Sequence, residues 1–493
     1  MDLISEYVFV LKKAQPKTID TFLPRKSKLR RLYDAVAKGK VTTDLGAAKL
    51  IYHSTPDDKK YLMLKRSLIS KLSELVRTLP GFDDEDTYLQ VRIDCKNDLI
   101  LAEKLLLENV YHNAEKLLKR IIKRAQEFYL YDILFECAKN MRTLYYLKGF
   151  YNETEFYNNQ IKLYNKQSSL INLAEGMWQI MESREKFIIS KRKESIQFVT
   201  KSLQEIKTWN NGPISPFLNM YTLKLHYKHN YLSSDFLQCK NVLEDLTVLY
   251  ESYPFLKTNQ NIRQLLYDNA HTGKSSCNLT EADKFLNNCL QLTDYRAFDK
   301  FEVQALHFDI LLKMGRYMDA VSVLNEVKTT HQFQYLNSAD MEAWKIKLAY
   351  LSLLYLLKEQ PEELSLNDGP QNFSDLMELK NQCKIVQNDK TGYNIQLIVL
   401  WAISKLITEQ EHANLNNSLK VYYHRYLKDL EDSRTQNFFK FLIKVSSDIH
   451  NTENFKNEWE ELSETFKTIN KFYHDCELVP YEKLASLVIN KLV

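Results

Sequence analysis

The chain has 493 residues, 44% of them hydrophobic, so it is long enough to bury one large core or several. Ten Gly and ten Pro make up about 4% of it, against roughly 12% in an average protein, which leaves few residues for tight turns and points to long helices with short connections. The net charge is +4, but residues 1–80 hold 17 Lys/Arg and 8 Asp/Glu, so a basic N-terminal part precedes a mildly acidic body.

Several function classes fall away early. The seven cysteines are scattered and form no CxxC pair, which reads as reduced, buried thiols. Residues 1–10 carry Asp2 and Glu6 and no basic stretch before the apolar run, unlike a secretory leader. The apolar stretches 348–357 and 395–407 fall short of the roughly 20 residues a bilayer span needs. A cytoplasmic protein with no membrane segment is expected. No phosphate-binding glycine loop, nucleophile elbow, HExxH or dinucleotide glycine motif occurs, so no catalytic residue, cofactor or metal ligand is assigned and the chain is read as non-enzymatic. His226 and His229 stand three apart but lack a third ligand, and His229 is placed on a turn.

The elements follow in chain order. Residues 1–24 open with one helix or an extended arm. Next come five basic residues in seven, Arg25, Lys26, Lys28, Arg30 and Arg31, and a helix through Leu29, Leu32, Tyr33 and Val36 that stops at Gly39. Thr42 or Thr43 caps a second helix. Thr55-Pro56 restarts a third, long helix that carries Lys59, Lys60, Lys65 and Arg66 and ends at Pro80-Gly81. Residues 1–80 therefore form a basic trihelical module that loosely resembles a helix-turn-helix. Its nine named cations are candidates for nucleic-acid contacts; the alternatives are a solvated basic face on a helical cap and an acidic protein partner.

Residues 81–360 repeat a pattern. Its clearest copy is Gly315-Arg316-Tyr317-Met318-Asp319-Ala320, followed by Val321, Leu324 and Val327 at three-residue steps. Glycine ends a helix in the left-handed conformation, the tyrosine ring wedges at the turn, and the alanine lets two helices approach. Partial copies keep Tyr111 and Ala114, Gly149 and Tyr151, Tyr231, and Ala282; a further degenerate one lies at 190–195. The copies start at 109, 149, 190, 229, 277 and 315, a period near 40. The Gly-x-Tyr-x-x-Ala turn resembles that of the tetratricopeptide repeat (TPR) family, over roughly residues 85–360. That resemblance implies an all-α, right-handed solenoid of helical hairpins with a groove for a protein or peptide. The usual TPR repeat is shorter, about 34 residues, and the family's Trp and Pro positions are not kept. Tyr145, Tyr146, Tyr221 and Lys224 are candidate groove anchors. Lys116, Lys119, Arg120, Lys123 and Arg124 form a basic ridge, read either as the wet side of an amphipathic helix or as a patch for an acidic partner.

Residues 361–493 hold further amphipathic helices without the turn pattern and are expected to cap the array. The leading expectation is a scaffold for a protein or peptide partner. The alternative is a DNA-binding transcriptional regulator, whose N-terminal module meets DNA while the array serves as sensor.

Overall fold

A computed structural model describes residues 2–11, 19–20, 22–78, 87–185, 192–209, 215–292, 299–330, 333, 336–357, 369–408, 413–428, 433–447, 452–468 and 477–492. Among these the chain is all-α, with 22 α-helices, short 3-10 segments, one π segment and no strand. None of the helices is long and apolar enough to cross a membrane. The chain divides into two compact units, Met1–Ile133 and Leu134–Val493.

In the first unit α1 (Asp2–Leu11), α2 (Lys28–Ala37), α3 (Asp44–Tyr52) and α4 (Lys59–Thr78) share one apolar core. Ile4, Val8 and Leu11 of α1 meet Leu32 and Val36 of α2, Ala47 and Ala48 of α3, and Leu68 and Leu72 of α4. The expected three helices are thus four: α1 packs on both α2 and α4, because its i, i+4, i+7 apolar stripe needs cover. Ser27 and Thr43 cap α2 and α3 by accepting the N–H of Arg30 and Gly46. The cap of α4 differs from expectation. Thr55 and Pro56 lie in the turn before it, and the Asp58 carboxylate accepts the Lys60 N–H at 2.7 Å. The expected stop at Pro80-Gly81 lies outside the described residues. Next, α5 (Thr87–Leu107) and α6 (Tyr111–Glu127) pack as a hairpin.

The second unit continues from α7 (Tyr131–Leu147), within which the division falls. It holds α8 (Tyr151–Glu185), α9 (Arg192–Trp209), α10 (Pro216–Leu232), α11 (Phe236–Ser252), α12 (Asn259–Ser275), α13 (Leu279–Leu292), α14 (Asp299–Met314), α15 (Tyr317–Thr329) and α16 (Ser338–Leu356). Successive helices from α8 to α16 pack on each other, and within this stretch α8 also packs on α10 and α12 on α14. The C-terminal part comprises α17 (Phe373–Gln382), α18 (Tyr393–Thr408), α19 (Ala413–Tyr422), α20 (Ser433–Ser447), α21 (Thr452–Thr468) and α22 (Tyr481–Leu492). One apolar cluster runs from Phe301 to Ile489, so these helices share a core with α14–α16.

The turns explain how the helices fold back. Asn109, Tyr129, Gly149, Ser234, Cys277 and Gly315 all have φ between +53° and +75°. At each, the residue after it donates its N–H to a carbonyl five residues back: Val110 to Leu105, Leu130 to Ala125, Phe150 to Tyr145, Asp235 to Asn230, Asn278 to Gly273, Arg316 to Leu311. That bond satisfies the orphan carbonyls of the helix end. The next residue opens the following helix, and it is large each time: Tyr111, Tyr131, Tyr151, Phe236, Leu279 and Tyr317.

One turn sits elsewhere than its sequence pattern implied. The copy expected at His229-Asn230-Tyr231 lies inside α10, which continues to Leu232. The left-handed residue is Ser234, Phe236 takes the ring position and Cys239 the small one. Tyr231, buried in α10, stacks on His271 at 4.6 Å and hydrogen-bonds Ser275 at 2.8 Å. The turn at Tyr129 carried no glycine or asparagine to reveal it. The degenerate copy at 190–195 starts outside the described residues.

Ala114, Ala282 and Ala320 are fully buried, and Tyr317 is buried beside Lys483, whose ammonium lies 5.0 Å from its ring centroid. The backbone at Ala282 comes so close to α12 that a Cβ on Gly273 would stand 3.0 Å from the Ala282 Cβ. At Gly315 there is room for a side chain, but φ is +74°. Gly315→Val is expected to lower stability by about 1–2 kcal/mol through that conformation alone. Urea unfolding of the variant checks this; an unchanged midpoint would place the left-handed requirement elsewhere.

Candidate functional site

The basic residues of the N-terminal module divide into two sets. Arg25 and Arg30 share Asp20 at 2.8 Å, and Arg30 also holds Asp34 at 2.8 Å. Lys65 pairs with Asp44 at 2.8 Å, where the Tyr61 hydroxyl donates as well. Burial works against the charge of Asp44, yet Lys65 and Tyr61 hold its carboxyl down at about 2. Lys65 thus ties α4 to α3, and Arg25 and Arg30 are held by Asp20 ahead of α2. Lys28 lies over the Tyr52 ring at 4.1 Å. Lys26, Arg31, Lys59, Lys60 and Arg66 are exposed and make no ion pair among the described residues.

The ridge on α6 is largely consumed within its hairpin. Lys119 pairs with Glu115, Arg120 with Asp98 and Arg124 with Asp94, leaving Lys116 and Lys123 exposed. The four expected anchors separate too. Tyr145 is buried and stacked on Tyr157 at 5.7 Å, and Tyr221 is half-buried against Lys224. Lys224 is buried, hydrogen-bonded to the Asn261 side chain at 3.0 Å. Tyr146 is the most exposed of the four, and it does not stand alone. Tyr146, Leu147, Phe150 and Tyr151 are 72%, 56%, 50% and 74% exposed, and all flank Gly149. The ring of Tyr151 does not wedge between helices as its place in the turn pattern implied. No residue of α8 before Tyr164 is buried. Phe156 adds a further exposed ring and meets Tyr157 edge-on at 5.1 Å.

No family model, curated protein or solved structure matches this chain.

The interior of the second unit is not purely apolar. That interior holds buried lysines inside largely apolar helices, of which the sequence reading named only Lys224. The Trp178 ring of α8 lies 5.6 Å from Lys224 Nζ and 5.5 Å from Lys228 Nζ, both on α10. Lys228 pairs with Glu182 at 2.9 Å. Beneath them Asp268 of α12 is buried and accepts from the Gln264 amide at 3.0 Å. Further along, Lys347 of α16 pairs with Asp309 and lies against Phe308 and Trp344, while Lys313 of α14 donates to the Glu477 carbonyl. Burial lowers the pKa of Lys224 and Lys347 and brings Lys313 down to about 8. The signal available in sequence was a lysine at i and i+4 within the apolar run 220–231.

The cavity beside these groups, bounded by Glu182, Arg263, Gln264, Tyr267, Glu302 and Val303, measures about 40 Å³, on the scale of a buried water or two. A wider groove of about 590 Å³ runs between α9 and α10, with Leu203, Ile206 and Leu218 at its base and Lys207, His226 and His229 at its rim. His226 and His229 lie on one face of α10, whose helix continues past both. Burial, then the neighbouring His229, lowers the pKa of His226. Among the described residues no group of three or more metal-ligating side chains assembles.

Proposed function

We propose that the chain is a non-enzymatic interaction scaffold: a cytoplasmic, TPR-like, right-handed solenoid of helical hairpins that presents a surface to a protein or peptide partner. The observation that carries this reading is the exposed aromatic turn at Gly149. Four large apolar side chains within six residues meet water there. Aromatic residues of this kind supply most of the energy at protein interfaces, where a buried ring contributes by excluding water and Tyr keeps a hydrogen-bonding tip. The turn is held firmly for the purpose, by the stack of Tyr145 on Tyr157 and by Phe150, whose ring lies 6.1 Å from that of Tyr145. In support of the repeat reading, the left-handed turns at 109 and 149, and at 234, 277 and 315, are spaced by 40, 43 and 38 residues.

The test uses the full chain in affinity capture from its native cell, with Tyr146→Ser/Tyr151→Ser beside the wild type. Both positions are exposed, so the double variant should unfold at the same denaturant concentration. A partner that the wild type captures should drop at least tenfold with the variant, as expected for the loss of two interface rings at roughly 1 kcal/mol or more each. Equal capture by both proteins, or turnover of a small molecule by the wild type, would overturn the reading.

A further inference from the structure

A second surface, on the first unit, has a different chemistry. The outer face of α4 is formed by Lys59, Met63, Arg66, Ser67 and Ser70, which helical geometry places within one stripe, with Lys60 at its margin. All six are exposed, Met63 by 72%. The nearest carboxylates of the module are engaged elsewhere: Asp20 and Asp34 by arginines, Asp44 by Lys65 and Tyr61, and Asp58 by the Lys60 backbone N–H. Among the described residues, Asp57 before the helix and Glu74 further along it are exposed acids close in sequence to this face. Lys59 and Arg66 make no ion pair among the described residues, and Lys60 feels the charge of Asp58 without a direct ion pair to it, on a helix fixed from behind by Tyr61, Leu68, Leu72 and Leu75.

We infer that this face of α4 binds the phosphate backbone of a nucleic-acid duplex. Lys, Arg and Ser are the donors that such backbones recruit, and uncompensated cations gain most by releasing condensed counterions. The dimensions agree. A helix with its side chains is about 10–12 Å across and one of this length about 30 Å long, and the major groove of DNA is about 12 Å wide. A protein partner or a membrane surface fits less well. The face offers no aromatic anchor, only Met63 with Leu62 at its edge, whereas protein interfaces are enriched in aromatic residues and membrane-surface helices carry a broader apolar stripe.

The experiment is fluorescence anisotropy of the full chain with a labelled mixed-sequence DNA duplex of about 30 base pairs, titrated across a salt series. The expected result is binding at low salt that weakens as salt rises. Lys59→Gln/Lys60→Gln/Arg66→Gln should lower affinity at least thirtyfold and reduce the slope of log K against log salt by about 2.7, as the loss of three phosphate contacts predicts. Arg66→Glu alone, which alters one exposed side chain, should lower it about tenfold. Lys116→Gln/Lys123→Gln on α6 removes two other exposed cations and should change affinity less than twofold. The inference fails if the wild type does not bind at the lowest salt, if the triple variant binds like the wild type, or if the α6 control loses as much. It also fails if polyglutamate or phosphatidylserine vesicles bind more tightly than DNA through the same three residues, which would make the partner an acidic protein or a membrane.

Discussion

Arg434→Ala is expected to destabilise the protein by about 3–5 kcal/mol, the cost of leaving one half of a buried ion pair uncompensated. Arg434 and Glu477 are almost fully buried, with the Arg434 Nε and Nη2 donating to the Glu477 carboxylate at 3.0 and 2.7 Å. The guanidinium also reaches Glu482 at 2.7 Å and lies over the Phe466 ring at 4.6 Å. Burial alone would lower the pKa of Arg434, but hydrogen bonds and charge from Glu477 and Glu482 outweigh it, so the group stays cationic. The pair joins α20 to the start of α22, where Glu477 also accepts the Tyr481 N–H at 2.9 Å. Without Arg434 the carboxylate keeps that bond and the charge of the buried Lys313 ammonium, but loses its direct ion pair in a buried site. The double replacement Arg434→Met/Glu477→Leu removes both charges together and should recover most of the loss. Chemical unfolding of the three proteins, followed by circular dichroism, measures this. A loss below about 1 kcal/mol for Arg434→Ala, or a double variant as unstable as the single one, would show that the pair is not the tie described.

Asp268→Asn is expected to act in the opposite direction, and only where the pH is high enough. Burial is the main force that pushes the Asp268 carboxyl up to about 7; Glu182 adds to it, while Lys228, Lys224 and the Gln264 amide oppose it. The folded value thus lies above the ordinary value of 3.8. Between those two values the unfolded chain releases this proton and the folded chain keeps it, so stability falls as pH rises. The contribution is complete below about pH 4 and is lost by the time pH passes 7, at about 1.4 kcal/mol per unit and about 4 kcal/mol in all. Asparagine has no proton to lose and can still accept from Gln264. At pH 8 the variant should be more stable than the wild type by about 2–4 kcal/mol, and the difference should shrink toward zero near pH 4. Unfolding midpoints across pH 4–8 decide it. Parallel profiles for the two proteins would mean that Asp268 is ionised in the fold.

The helical class was legible because it depends on local terms: scarce glycine and proline, stripes of Leu and Ile at three- and four-residue steps, and caps such as Ser27 and Thr43. The turns at Asn109, Gly149 and Gly315 were legible for the same reason, since Gly or Asn in the left-handed region marks a helix end within its own neighbourhood, and the turn at Cys277 was legible only through Ala282. Ser234 escaped because Tyr231 sits where the pattern's ring was expected, and one more helical turn moved the joint by several residues.

What the tertiary structure decided is which side of each helix meets another. Arg30 and Lys65 carry the same charge as Lys59 and Arg66, yet Asp20, Asp34 and Asp44 engage the first two and leave the others to solvent. Tyr145 and Tyr146 are neighbours in sequence, one stacked in the core and the other in water. The Trp178–Lys224–Lys228 contact and the Arg434–Glu477 pair join residues some 45 positions apart. Composition and periodicity act over a few residues along the chain, so they set where helices form. The pairing of charges and the exposure of rings depend on distances across the fold, which arise only when the helices have packed.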